Sequence, residues 1–189
     1  MKKLLNPFIY FSGGTTLCVG LAAMAAMVLL AGFTDQTFRG ILSIGVGERP
    51  FWRLALHLAG GWMIFSLLLY GAARAFSPSR IRFVDIAGNQ ALAKMPGLLM
   101  LTFGAIFMKG MMAEVEQLMH AGPSEMPADI PSVNLLVVGV AGIVAIVWFF
   151  AWSWNGFSIA ANMRGRRAVG IYIVCYILAE VLSGFVCQI

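Results

Sequence analysis

Five long apolar segments, 15–33, 54–76, 95–112, 133–154 and 168–189, divide this chain, and the stretches between them hold nearly all of its charge. Each falls within the roughly 17 to 25 residues that a helix needs to cross about 30 Å of hydrocarbon. Lipid offers no water to backbone N–H and C=O groups, so a segment that crosses it must close its hydrogen bonds internally, as an α-helix does. The expected fold is therefore all-α: a polytopic membrane protein, a bundle of about five transmembrane helices forming one domain over 1–189. Composition agrees, since 60% hydrophobic residues, 11% charged residues and a mean hydropathy of +0.87 are more than a soluble surface tolerates.

The third segment opens on Pro96, and a proline in the first turn of a helix removes no hydrogen bond. Lys2 and Lys3 followed by apolar residues and Ala22-Ala23-Met24-Ala25-Ala26 have the look of a secretory leader. However, the run 15–33 is long enough to span and no cleavage tripeptide precedes Thr34-Asp35, so it is read as the first membrane helix. Orientation follows from the basic residues. Lys2, Lys3, Arg74, Arg80, Arg82, Lys94, Arg164, Arg166 and Arg167 fall in one set of connections, while Arg39, Arg49, Arg53 and Lys109 fall in the other. The richer side is expected in the cytoplasm, which puts the N-terminus inside and the C-terminus outside.

The net charge of +5 sits in short clusters between apolar runs, a pattern that orients helices and meets anionic lipid rather than nucleic acid. On that reading Lys2, Lys3, Arg80, Arg82, Arg164, Arg166 and Arg167 form a cytoplasmic, headgroup-facing surface. Cys18, Cys175 and Cys187 lie in apolar stretches without CxxC spacing, which argues against a disulfide framework or a zinc site.

An ionisable group inside a span is costly and is a functional candidate by default. Glu180 is the carboxylate within the last segment, and His57 and Lys109 are placed to reach a similar depth. The group could form a proton or cation site, or Glu180 could tie helices together through a hydrogen bond; the second is preferred, because an ion path usually recruits further buried carboxylates. Met108, Met111, Met112 and His120 could present soft ligands to Cu(I), but their irregular spacing fits packing better, and no metal or cofactor is expected. The aromatic run Trp148 to Trp154 reads as an interfacial belt rather than as a ligand cavity. No HExxH, GxGxxG, GxxxxGK[ST] or GxSxG motif occurs, so no enzyme is expected.

Asn6-Pro7-Phe8 before the first span, five spans, and the connection Phe76-Ser77-Pro78-Ser79-Arg80-Ile81-Arg82-Phe83-Val84-Asp85-Ile86-Ala87-Gly88-Asn89 leading to Pro96 together resemble the Yip domain family. The Gly88 to Pro96 stretch is similar to that family's Gly-Tyr-x-x-x-Pro neighbourhood, with Asn89 in place of Tyr and a longer spacing. The eukaryotic Asp-Leu-Tyr-Gly-Pro signature and a long cytosolic lead are absent, so binding of Rab-type GTPases does not carry over. The resemblance implies a bacterial-type, multi-pass member in the cytoplasmic membrane: a non-enzymatic scaffold or adaptor whose partners are membrane lipids, other membrane proteins or further copies of itself. The alternative is a small transporter or channel component using Glu180 and His57. A hydrated cavity reaching Glu180 would favour transport, and a dry bundle the scaffold.

Overall fold

The computed structural model describes residues 7–9, 13–120 and 133–186. After a single 3-10 turn at Pro7–Ile9 come helix α1 (Gly14–Phe33), strands β1 (Gln36–Phe38) and β2 (Ile44–Val46), and helices α2 (Phe51–Phe76), α3 (Phe83–Ala93), α4 (Pro96–His120), α5 (Val133–Ala160) and α6 (Arg166–Val186). Among the described residues five helical stretches are long and apolar enough to cross a membrane: Gly14–Phe33, Phe51–Phe76, Phe83–Phe107, Leu136–Ala160 and Arg166–Val186. Their outward faces carry Leu29, Leu67, Ile106, Ile143, Val147, Val174 and Phe185, all exposed. On a soluble protein such a surface would drive aggregation; in a bilayer it meets acyl chains. The chain is an all-α, multi-pass membrane protein.

The third crossing departs from the sequence reading. It starts at Phe83 rather than at residue 95 and is broken at Lys94 and Met95. Proline has no N–H to donate and disfavours the α region for the residue before it, so Pro96 interrupts the ladder there. The chain bridges the interruption with tight i to i+3 bonds, Lys94 N to Ala91 O at 3.2 Å, Met95 N to Leu92 O at 3.0 Å and Gly97 N to Lys94 O at 2.8 Å.

Helix α3 is the centre of the molecule. Every residue from Ile86 to Ala93 is buried, as expected of a helix surrounded on all sides, and its neighbours are α1, α2 and α5. Small residues let the backbones approach. A Cβ on Gly20 of α1 would meet Leu92 N at 2.5 Å and the Ala91 Cβ at 2.6 Å, and one on Gly156 of α5 would meet the Asn89 Cβ at 2.8 Å. Polar side chains then tie the layers together. Asn89 Nδ2 donates to Gly156 O at 2.9 Å and Gln90 Nε2 to Ser153 O at 3.1 Å, while Tyr172 of α6 donates to Ser153 Oγ at 2.7 Å and Trp62 Nε1 of α2 to Ala87 O at 2.9 Å. Ser153 passes its own proton to Gln90 Oε1 at 2.5 Å, so this chain of buried polar groups is satisfied in sequence.

Strands β1 and β2 pair antiparallel, with Gln36 opposite Val46 and Phe38 opposite Ile44. All three residues of β1 are buried, so this hairpin packs into the bundle, where the sequence reading had only a connection.

Candidate functional site

The tip of the hairpin, residues 39–43, brings irregular backbone into the protein interior, and in a membrane its polar groups need protein partners. Ile41 is buried, and each of its backbone polar groups meets a charged side chain from elsewhere in the fold. Its N–H donates to Glu180 Oε2 of α6 at 3.0 Å, and its carbonyl accepts from Lys94 Nζ at 3.0 Å. Ser43 Oγ adds a third contact by donating to Glu180 Oε1 at 3.3 Å. Opposite charges thus clasp one residue, through the peptide groups on either side of its Cα.

Three local features allow this seating. Gly40 has no Cβ, and one there would press on the Glu180 carboxylate, approaching its Cδ to 3.0 Å. Gly61 of α2 leaves space beside Gly40 O and Ile41 Cα, at 3.8 and 3.9 Å from where its Cβ would stand. The break after α3 places Lys94 beside the tip, with only 4% of the residue exposed and its Nζ 6.0 Å from the Phe149 ring centroid. At 1.5 Å per residue, Lys94 lies about 16 Å along from Phe83 and Glu180 about 21 Å along from Arg166, so the tip reaches the middle depth of the bundle.

Lys94 also lines a narrow cavity of ≈ 30 Å³, with Phe38, Ile41, Leu58, Met100, Ile146 and Phe149 among its walls. That is room for a few small atoms rather than a water-filled path.

The residues singled out from sequence are distributed as follows. Glu180 is engaged with Ile41 and Ser43, not with His57. His57 is 1% exposed in α2 and faces the Phe38 backbone of the hairpin rather than Glu180. The side chains of Lys109, Met108, Met111 and His120 lie outside the described residues, as do Lys2 and Lys3; Met112 is exposed. Lys94, counted above among the connection residues, is instead the buried cation of the site. Its signal in the sequence was Pro96, which marks a break in the helix just after it.

Arg80, Arg82, Arg164, Arg166 and Arg167 are all exposed; Arg80 and Arg82 lie on the connection from α2 to α3, Arg164 lies on the one from α5 to α6, and Arg166 and Arg167 open α6. Ser77 Oγ donates to Ala161 O at 2.6 Å and Asn162 Nδ2 to Ser79 Oγ at 3.0 Å, which locks these two connections together. Among the described residues none of the five forms an ion pair, although Arg167 lies over the Phe76 ring at 5.8 Å. Compared with known proteins, the chain matches no family model, no curated protein and no solved structure.

Proposed function

We propose that the protein is a non-enzymatic membrane scaffold of the Yip type, resident in a bacterial cytoplasmic membrane with the arginine-bearing connections inside, and that it acts through lipid and protein contacts. The observation that carries this reading is the surface made by Arg80, Arg82, Arg164, Arg166 and Arg167: exposed guanidinium groups on two mutually fastened connections and the first turn of α6, with no acidic partner among the described residues. A guanidinium near an anionic leaflet contributes on the order of 1 kcal/mol, and its planar fork suits phosphate. The bundle supports the same reading, since Glu180 is occupied by the hairpin and the cavity beside Lys94 is narrow. Replacing all five arginines by Gln tests it. The variant is expected to lose most of the phosphatidylglycerol and cardiolipin that co-purify with the wild type; unchanged retention rejects the assignment. A cysteine at Gly165 that reacts with an impermeant reagent in intact cells rejects the orientation.

A second reading, a small transporter component, draws on Lys94, a buried cation at a broken helix of the kind that lines midplane sites in transporters. In that case Lys94 and Glu180, rather than Glu180 and His57, are the groups to follow.

A further inference from the structure

The Lys94 ammonium carries three N–H donors and, among the described residues, meets one hydrogen-bond acceptor, Ile41 O. Glu180 sits on the other side of Ile41 and forms no ion pair with Lys94, and the Phe149 ring covers another side. The remaining direction is the cavity. Its walls there are Gly97 and Met100 of α4 and Ala145, Ile146 and Phe149 of α5, apolar throughout. Ile146 is 37% exposed on the outward flank of the bundle, and Gly97 and Met100 are half-buried, so the crevice opens toward the acyl chains of the bilayer.

A buried ammonium short of acceptors, at the end of an apolar crevice that opens sideways into lipid, matches a specific kind of molecule. The cavity as a whole, ≈ 30 Å³, suits a head of a few heavy atoms and is too small for a phosphate bearing glycerol, so a longer chain attached to that head lies beyond the mouth, among the acyl chains. The apolar walls suit a single hydrocarbon chain. We propose that this crevice takes up a long-chain fatty acid from the bilayer, with its carboxyl group on Lys94 Nζ and its chain passing out between α4 and α5 beside Ile146. The titratable groups around the carboxyl are Lys94 itself, Glu180 behind Ile41, and Tyr176 beside Glu180 on α6. Since Glu180 already balances Lys94, the acid enters with its proton, so uptake adds no net charge to the interior.

The test is saturation binding of radiolabelled palmitic acid to the purified full-length protein in an uncharged detergent. Wild type is expected to bind one molecule per chain, more tightly at pH 6 than at pH 8. Lys94→Met should weaken binding at least tenfold. Ile146→Trp, which fills the mouth of the crevice and leaves Lys94 and the hairpin clasp untouched, should do the same, and it decides the question if Lys94→Met fails to fold. Absence of saturable binding by the wild type, binding unaffected by Ile146→Trp, tighter binding at pH 8, or displacement of the label by phosphatidylglycerol at equal concentration would each overturn the proposal.

Discussion

Lys94→Met and Glu180→Gln, made singly and together, ask whether the two charges act as one unit across Ile41. Each is 3.0 Å from its Ile41 atom, and the N and O of one residue are about 3 to 4 Å apart, so the charges are separated by at most about 10 Å. At an effective dielectric of about 20 this gives an attraction of roughly 1.7 kcal/mol. Gln keeps an acceptor for the Ile41 N–H and gives up only the charged part of that bond, about 1 kcal/mol, whereas Met leaves the Ile41 carbonyl without its donor, about 2 kcal/mol. With the lost attraction included, the expected destabilisations are about 3 kcal/mol for Glu180→Gln and about 4 kcal/mol for Lys94→Met. The attraction can be lost only once, so the double variant should cost about 5 kcal/mol rather than about 7. Unfolding in mixed micelles, followed through the five tryptophans, measures all four corners of the cycle. Additivity within about 0.5 kcal/mol would refute the coupling and leave Lys94 and Glu180 as two unrelated hydrogen-bonding groups.

Gly40→Ala should displace the Glu180 carboxylate from Ile41 and cost about 1 to 3 kcal/mol, seen as a lower melting temperature in detergent, because the added Cβ has no room beside that carboxylate. Gly20→Ala should destabilise by a similar amount, about 1 to 3 kcal/mol, by forcing α1 away from Leu92 and Ala91 of the central helix, whose backbone cannot turn aside. Gly71→Ala is the control for both, since nothing stands within 4 Å of its Cβ position, and its melting temperature should be at or above that of the wild type.

Four of the crossings were legible in the sequence because the signal for each is local. Segments 15–33, 54–76, 133–154 and 168–189 correspond to Gly14–Phe33, Phe51–Phe76, Val133–Ala160 and Arg166–Val186, with boundaries moved by a few residues where Arg53, Asn155 and Arg166 continue a helix past its apolar part. The third was shortened for a physical reason. Asn89, Gln90 and Lys94 lower its hydropathy, and the partners that make them tolerable in lipid, Gly156, Ser153 and Ile41, lie 67, 63 and 53 residues away. The same distance in sequence hid the site. Glu180 was recognisable as a buried carboxylate, and its preferred role as a tie between elements was readable from cost alone, but Ile41 and Ser43 are 139 and 137 residues distant. Glu180→Gln therefore looks harmless from sequence, since Gln keeps the shape and the hydrogen bonding, whereas Lys94 on the other side of Ile41 gives the charge itself a part.

The break in the third crossing and the hairpin account for each other. Below Lys94 the chain is α3, packed against α1, α2 and α5; beyond Pro96 it is α4, packed against α5 and α1 rather than α2. A straight helix would have stayed beside α2, and the space it gives up there is taken by β1, which touches both α2 and α4. Phe38 and Ile41 supply the apolar volume, 3% and 5% exposed, and Gln36 Nε2 fastens the strand to α4 by donating to Leu101 O at 3.0 Å. What a strand tip cannot supply is the closed hydrogen bonding that a helix carries within itself, and that deficit falls on the two polar groups of Ile41. A cation on one side and an anion on the other satisfy both, and together they leave no net charge in the interior, which neither could achieve alone. The strand Gln36–Phe38 and the tip residues Gly40 and Ile41 are therefore core rather than trim, and Lys94 and Glu180 are what allows a membrane bundle to include them.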